Sequence, residues 1–175
     1  RYISGQELAA QLAVSRTAVW KAVAALRRDG IPIKAVTNRG YTLAQSVDVL
    51  NAAAVAVQLD EATVKALQIE VVDRLPGTNA ALRSRADAGA REGLVLIAQA
   101  QSAGRGRGGH SFYSPPGGLY MSILLRPEIG ARQAVGLTAM AAVAAARAAE
   151  RLCGVPITIK WVNDLWKNGK KVCGI

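Results

Sequence analysis

The first 43 residues of this 175-residue chain constrain its fold more than any other part, because helix and turn signals follow one another with little connecting sequence. Ser4 and Glu7 have the spacing of a capping box, and the apolar residues after them predict a helix at about residues 5–13. Ser15 can cap a second helix, whose apolar side chains recur at three- and four-residue intervals until Gly30. The chain therefore begins with two short amphipathic helices joined by a tight turn.

A hairpin is predicted directly after these helices. Residues 31–36 and 41–43 have the composition of short strands, and a polar turn separates them. Two helices followed by a hairpin predict a winged helix-turn-helix, a domain that places its second helix in the major groove of DNA. Such domains normally have another helix ahead of this pair, so we expect the N-terminus to be clipped.

The charge of this head indicates a polyanionic partner. Seven of the 22 basic side chains and two of the 12 acidic ones lie in the first 46 residues, which have a net charge of +5. Lys and Arg displace counterions from nucleic acid and so gain affinity, although a generically basic soluble protein is the alternative. Arg39 at the hairpin tip fits a phosphate contact or a solvated turn residue equally well. The candidate DNA contacts are Arg16, Thr17, Trp20, Lys21, Arg27, Arg28 and Arg39.

Composition argues against several other classes of protein. The chain is 51% apolar, enough for a hydrophobic core, but charges interrupt its apolar stretches. These stretches are shorter than the roughly 20 residues of a membrane span, and the N-terminus lacks a secretory pattern. Cys153, Cys173 and the single His110 do not have the spacing of a metal site or a disulfide framework. We expect a cytoplasmic protein with no membrane association, and we assign no metal-ligand residues.

The rest of the chain alternates β-rich and helical stretches, which is typical of an α/β arrangement. We expect strands at 69–73, 94–100, 119–126, 157–162 and 171–175, and helices at 79–88 and 132–152. A connecting segment at 47–63 contains an apolar helical stretch at 49–59. The predicted class is α+β, with a winged helix-turn-helix at 1–46, this connecting segment, and a mixed α/β domain at 64–175.

A glycine- and arginine-rich loop directly after the predicted strand 94–100 carries the strongest chemical signal. Residues 101–109 contain four glycines and two arginines, Arg105 and Arg107. Exposed backbone amides and guanidinium groups bind anionic oxygens, and glycine allows a loop to close around a ligand. The spacing is neither that of a Walker loop nor that of a dinucleotide fingerprint. Taken alone, the loop fits a phosphate site, an RNA contact or a disordered basic segment.

Three further motifs accompany this loop. Gly77-Thr78-Asn79 precedes it, and the stretches 160–165 (KWVNDL) and 171–175 (KVCGI) follow it. In content and spacing the four motifs resemble the biotin protein ligase family. With the winged head, they resemble its bifunctional type, which is both a ligase and the repressor of the biotin operon. The resemblance covers nearly the whole chain and implies a class II synthetase-like catalytic domain. It also implies that a C-terminal part, with further strands and a small β-barrel, is missing here.

The resemblance implies roles for individual residues. Lys171 is expected beside the biotin carboxylate and the α-phosphate. Asp164 is expected to orient or deprotonate the acceptor lysine, or else to cap a strand end. Trp161 is expected in the pocket wall or in the core. The catalytic candidates are Lys171, Arg105, Arg107 and Asp164. The candidate biotin-binding residues are Thr78, Asn79, Gln101, Gly104, Arg105, Arg107, Lys171 and Gly174. The candidate nucleotide-binding residues are Arg105, Arg107, Phe112, Lys160 and Asn163.

The implied chemistry uses ATP and Mg²⁺ to convert biotin to biotinyl-5′-AMP, and then transfers biotin to a lysine of a biotin carboxyl carrier protein domain. Fixed positive groups would lower the barrier, since the reaction brings anions together. The resemblance also implies operator DNA as a partner and a homodimer in the adenylate-bound form. Two alternatives remain: a catalytically weak, biotin-sensing transcription regulator, and a lipoate ligase relative.

This sequence departs from the family pattern at several positions. Gly77 stands where the family usually has Ser, and Val162 stands where it usually has Pro. A basic, Trp-containing stretch is replaced here by residues 108–112. The loss of basic side chains weakens the expected grip of the loop on phosphate, whereas Phe112 can still stack on a ring. His110 is expected to be a mobile loop residue.

Overall fold

The computed structural model describes residues 1–28, 31–43 and 49–175, except for the side chains of Arg107, Ala131, Arg132 and Val135. The chain divides into two compact units, Arg1–Asp60 and Glu61–Ile175. Both units contain helices, and each contains at least one sheet, which confirms the α+β class. Within the described ranges, no helix combines the length and the hydropathy needed to cross a membrane.

The first unit begins with the two predicted helices. Helix α1 spans Gly5–Gln11 and helix α2 spans Arg16–Arg28. Ser4 Oγ accepts a hydrogen bond of 3.0 Å from the Glu7 amide, and Ser15 Oγ accepts one of 3.1 Å from the Ala18 amide. Both predicted N-caps are therefore confirmed. The predicted end of the second helix at Gly30 lies outside the described residues.

A hairpin completes this unit. Strands β1 (Ile33–Val36) and β2 (Gly40–Leu43) pair antiparallel, and Ile3 forms an additional antiparallel bridge with Tyr41. A small core contains Ala9, Val19 and Val23, with Leu8, Ile33 and Tyr41 packed against it. Leu12, an apolar residue within the helix predicted at 5–13, is 64% exposed, and α1 ends one residue before it. Two helices and a hairpin packed on one core form the expected winged helix-turn-helix.

The connecting segment forms two short helices instead of one apolar stretch. Helix α3 spans Ala52–Ala56, and Asn51 caps it by accepting a 2.8 Å hydrogen bond from the Ala54 amide. Helix α4, Glu61–Ala66, was not predicted, and it contains an exposed Glu61–Lys65 ion pair one turn apart. The predicted boundary between residues 46 and 47 lies outside the described residues.

A three-stranded sheet forms the first part of the second unit. Strand β3 (Gln68–Leu75), helix α5 (Thr78–Asp87), strand β4 (Leu94–Gln101) and strand β5 (Tyr120–Ile123) follow in chain order. The strands lie in the order β3-β4-β5, with β3 parallel and β5 antiparallel to β4. β4 is central, which explains its continuous run of buried apolar residues. The parallel connection brings the carboxyl ends of β3 and β4 beside the start of α5.

A long helix and a second sheet complete the unit. Helix α6 (Ala131–Cys153) ends at Gly154, whose φ of 65° is left-handed. Strands β6 (Thr158–Lys160), β7 (Asp164–Lys167) and β8 (Lys170–Gly174) form an antiparallel sheet in that order. Ala142 and Ala146 of α6 pack on Leu165 of β7.

Two strand predictions for this unit were wrong in extent. Within the range 119–126, where a strand was predicted, the structure forms the four-residue strand β5. The strand predicted at 157–162 ends at Lys160, and a turn at 161–163 reverses the chain into β7, which was not predicted. This turn contains Asn163, a common turn residue, but no Gly or Pro, which are the strongest sequence signals of a reversal.

Candidate active site

Two predicted ligand-binding residues, Thr78 and Gln101, are hydrogen-bonded to each other at the end of the parallel strand pair. Gln101 is the last residue of β4, and Thr78 is the first residue of α5. The Thr78 amide donates to Gln101 Oε1 at 2.8 Å, and the Thr78 hydroxyl is 3.3 Å from the same oxygen. Gly77 at the N-cap provides no side-chain cap, so Gln101 satisfies one of the helix amides that begin without a partner. Thr78 is 5% exposed, so its end of the pair is shielded from solvent.

Two serines extend this network, and the sequence interpretation missed both. Gln101 Nε2 donates to Ser114 Oγ at 2.9 Å, and Ser114 Oγ in turn donates to the Phe112 carbonyl at 3.1 Å. On the other side, Ser122 Oγ lies 2.9 Å from Thr78 Oγ1. A lone serine in the short apolar strand β5 is a weak sequence signal, because its importance depends on which strand lies next to it.

The glycine- and arginine-rich loop folds back onto this network. The Phe112 amide donates to the Gly104 carbonyl at 2.8 Å, and a single 3₁₀ turn, Arg107–Gly109, forms the tip of the loop. Gly104 is buried, and a Cβ atom there would lie 2.6 Å from both the Phe112 carbonyl oxygen and Ser114 Oγ. Only glycine fits this position without displacing the backbone.

A cleft of about 540 Å³ opens beside the loop. Arg105 is exposed, and Phe112 is 38% exposed. Asn79 is also exposed, in the first turn of α5. The side chain of Arg107 lies outside the described residues. The cleft is lined by Arg74, Gln101, Ser102, Ala103, Gly104, Ser111, Phe112, Tyr113, Ser114, Pro115 and Pro116.

A second group of predicted residues lies on the β6-β7-β8 sheet. Lys171 Nζ donates to Asp164 Oδ1 at 2.8 Å, and Asn163 Nδ2 donates to the same oxygen at 2.8 Å. Asp164 and Gly174 are register partners, and a Cβ at Gly174 would lie 3.1 Å from Lys171 Nζ. An ammonium group has three N–H donors, so an ion pair with Asp164 still allows Lys171 to bind an anionic oxygen.

Two aromatic residues near this group behave differently. Lys160 Nζ lies 4.8 Å from the centre of the Trp166 ring, a cation–π distance that restrains the lysine. Trp161 is 80% exposed, so the expectation that it packs in the core or the pocket wall is wrong for this structure. The chain turns at Trp161 instead of continuing as a strand, and this turn directs the side chain away from the sheet core.

Cys173 lies between Lys171 and Gly174 on β8. Burial raises the pKa of its thiol above the ordinary value of 9.0, although the nearby positive charge of Lys171 opposes the shift. The thiol is therefore protonated near neutral pH, and we assign it no chemical role.

The winged head presents its candidate DNA contacts as exposed side chains. Arg16, Thr17 and Trp20 line a groove of about 930 Å³ between the starts of the two helices and the hairpin. Arg27 Nε donates to the Ile33 carbonyl at 2.8 Å, and the Arg39 guanidinium lies 4.6 Å from the centre of the Tyr2 ring. Lys21 and Arg28 are exposed on α2.

The structure therefore groups the predicted catalytic-domain residues in two places. Thr78, Gln101, Gly104 and Phe112 meet at the first sheet, whereas Lys171, Asp164, Asn163 and Gly174 meet at the second. The first group offers neutral donors and acceptors, and the second offers a cation paired with a carboxylate. The roles assigned to these residues remain predictions.

Comparison with known proteins agrees with this arrangement. The sequence model of the biotin/lipoate A/B protein ligase family matches residues 71–175, and that of an HTH domain matches residues 1–42. The bifunctional ligase/repressor BirA of Bacillus subtilis is 37% identical over an alignment of 175 positions, which covers 99% of this chain and 54% of that protein. The chain thus spans about half the length of this relative.

Solved structures agree as well. The biotin protein ligase of Aquifex aeolicus in complex with biotin and ATP matches 61% of this chain and 44% of its own, with 30% identity and a TM-score of 0.53. The biotin protein ligase of Leishmania major in complex with biotinyl-5-AMP matches 61% of this chain and 50% of its own, with 27% identity and a TM-score of 0.51. Since the ligase model covers more than half of the sequence, this chain belongs to the biotin/lipoate A/B protein ligase family.

Proposed function

We propose that this chain is part of a biotin ligase that activates biotin with ATP and transfers it to a lysine of a biotin carboxyl carrier protein domain. The observation that carries the proposal is the hydrogen-bonded Thr78–Gln101 pair beneath the Gly104 loop. It combines a preorganised set of neutral polar groups with a loop suited to anions. The printed titles of the two ligase structures, which name biotin with ATP and biotinyl-5-AMP, support the choice of ligands.

Biotin recognition would begin with its ureido ring. Gln101 and Thr78 offer N–H and hydroxyl groups at the carboxyl end of β4. Asn79 follows Thr78 as the second residue of α5. The backbone of the buried Gly104 would contact this ring directly, because glycine has no side chain to separate them. Lys171 and Gly174 would meet the carboxylate end of biotin.

In the first step a biotin carboxylate oxygen attacks the α-phosphorus of ATP. A new O–P bond forms, the bond to the bridging oxygen breaks, and pyrophosphate leaves. Arg105, Arg107 and Lys171 would stabilise the negative charge that accumulates at the phosphorus. Phe112 would stack on the adenine ring, and Lys160 and Asn163 would contact the nucleotide.

In the second step the neutral amine of the carrier lysine attacks the acyl carbon. An amide C–N bond forms, the C–O bond to the phosphate breaks, AMP leaves and the nitrogen loses a proton. Asp164 would orient this amine, a role consistent with its position between Lys171 and Asn163. Mg²⁺ would accompany ATP as its counter-ion. Proteins usually bind this ion through one or two carboxylates together with the phosphates of the substrate. Asp164 would supply such a carboxylate, and Asn163 would supply an amide oxygen.

We also propose that the winged head binds operator DNA, with a cytoplasmic homodimer as the binding form when the adenylate is present. The exposed groove lined by Arg16, Thr17 and Trp20 supports this second function. The printed name of the Bacillus subtilis relative combines a ligase with a repressor, which supports it further. Two heads in a dimer would meet two half-sites of an operator.

Biotin-dependent exchange of pyrophosphate into ATP tests the ligase proposal. The full protein is expected to catalyse exchange, and titration of biotin into Arg107→Ala should show lost adenylate retention with nearly unchanged biotin affinity. Equal loss of both would contradict the role of the loop. Calorimetric binding of biotin without exchange would favour the catalytically weak sensor, whereas exchange with lipoate in place of biotin would favour a lipoate ligase.

Operator binding is tested separately. Binding to a palindromic site should strengthen when biotin and ATP are both added, because the adenylate would promote dimerisation. DNA affinity that does not respond to either ligand would contradict the repressor proposal and would leave the ligase proposal intact.

A further inference from the structure

We infer that Ser122 is a positioning residue, whose hydroxyl sets the hydrogen-bond polarity that Thr78 and Gln101 present to a bound head group. The inference rests on the proposed biotin site, since it concerns the groups that would bind the ureido ring. Its basis is the direction of each hydrogen bond in the network around Gln101.

The orientation of the Gln101 amide follows from groups that can act in one way only. The Thr78 backbone N–H can only donate, so the Gln101 atom 2.8 Å away is the oxygen. The amide nitrogen then faces Ser114 Oγ at 2.9 Å. The Ser114 hydroxyl donates to the Phe112 carbonyl, which can only accept, so its oxygen is available to accept from Gln101. Both ends of the amide therefore require the same orientation.

The Thr78 hydroxyl is the remaining group that could either donate or accept, and its contact with Ser122 fixes its direction. Thr78 Oγ1 lies 3.3 Å from Gln101 Oε1, an acceptor, so the hydroxyl hydrogen of Thr78 points toward Gln101. The bond of 2.9 Å between the two hydroxyl oxygens then has Ser122 as its donor. Each hydroxyl has a single hydrogen, so no other assignment satisfies all of these contacts.

This polarity defines what a ligand would meet. Gln101 lines the cleft, and the second hydrogen of its Nε2 is a donor there. Thr78 is 5% exposed and is not a lining residue of the cleft, so the second lone pair of its Oγ1 would be an acceptor only for a head group that reaches beneath the loop. A cyclic urea has a carbonyl oxygen and ring N–H groups, which complement one donor and one acceptor. Without the Ser122 hydroxyl, the Thr78 hydroxyl could rotate away from Gln101, and the acceptor would no longer be fixed.

The location of Ser122 favours an effect on ligand binding over an effect on folding. Ser122 is partly buried on β5, where its register partner is Leu96 of the central strand. Its hydroxyl reaches α5 across a sequence separation of 44 residues, and Thr78 is the residue that it contacts there. Removal of one hydroxyl leaves the apolar contacts of β5 in place.

The test compares four forms of the full protein in the pyrophosphate exchange assay: wild type, Ser122→Ala, Ser122→Thr and Ser84→Ala. Ser122→Ala should raise the KM for biotin by about 3- to 10-fold, the effect of one neutral hydrogen bond, and leave the KM for ATP unchanged. Ser122→Thr retains the hydroxyl and should restore most of the affinity. Ser84 is exposed on α5, so its replacement should leave both constants unchanged.

The outcomes separate the inference from the proposed function. A wild-type KM for biotin in Ser122→Ala overturns the inference and leaves the ligase proposal standing. Equal increases in both KM values, with no recovery in Ser122→Thr, would assign Ser122 a purely structural role and also overturn it. If Ser122→Ala fails to fold, Ser122→Cys provides a weak donor of similar size, and its KM for biotin should exceed those of wild type and Ser122→Thr; a wild-type value would overturn the inference. Absence of biotin binding in wild type would remove the proposed function itself, and the inference with it.

Discussion

Replacement of Gly104 by alanine should weaken binding of the adenylate by crowding the base of the loop. The added Cβ would lie 2.6 Å from the Phe112 carbonyl oxygen and from Ser114 Oγ. Carbon and oxygen atoms in proteins approach to about 3.3 Å at the closest, so the loop must move by roughly 0.7 Å. Overpacking of this kind costs about 1–3 kcal/mol. If the strain is relieved by opening the loop, the dissociation constant of biotinyl-5′-AMP should rise roughly 5- to 150-fold.

Gly106→Ala is the matched control, because it replaces another glycine in the same loop. A Cβ there would lie 3.7 Å from the His110 carbonyl oxygen, an ordinary contact, and its φ of −93° suits any residue. Titration calorimetry with biotinyl-5′-AMP compares the two variants, and hydrogen exchange at the Phe112 amide should accelerate only in Gly104→Ala. Equal affinities and equal exchange rates in both variants would refute the steric argument.

Three other predictions concern different parts of the chain. Gly77→Ser should raise the free energy of unfolding by a few tenths of a kcal/mol, because serine is a better N-cap than glycine. A Cβ atom at this position meets no atom closer than 3.8 Å. Thermal denaturation that shows no gain over Gly77→Ala would contradict this. At about pH 8, iodoacetamide should alkylate the exposed Cys153 before Cys173. Burial raises the pKa of Cys173, so its thiol stays protonated at higher pH than a free thiol does. Equal alkylation rates in peptide mass spectrometry would contradict this. Arg16→Ala should reduce the salt dependence of DNA binding by about one counterion, and an unchanged slope in a salt titration would argue against a phosphate contact there.

Local signals in the sequence predicted the local structure well. The caps at Ser4 and Ser15 and the buried strand β4 were confirmed at close to their predicted positions. Each depends on neighbouring residues alone, because a cap bonds an amide three residues away and β4 begins with five consecutive buried apolar residues. The turn before β7 and the exposure of Trp161 were not predicted, since Asn163 in this turn is a weaker signal than Gly or Pro and the stretch 157–162 has the composition of a strand.

The chemical character of the candidate site was likewise readable from sequence, but its connections were not. The glycines and arginines of the loop predict an affinity for anions wherever the loop lies. Gln101, however, caps α5 across 23 residues and reaches Ser114 across 13. These contacts exist only because two parallel strands end, and a helix begins, at the same edge of a sheet.

The sequence by itself determined the helix caps, the central strand and the residue types available for chemistry, since each of these depends on short-range sterics and hydrogen bonding. Only the tertiary structure decided that Ser122 meets Thr78 and that Lys171 is paired with Asp164. Strand register brings such side chains together, and a shift of one residue would turn each of them to the opposite face of its sheet.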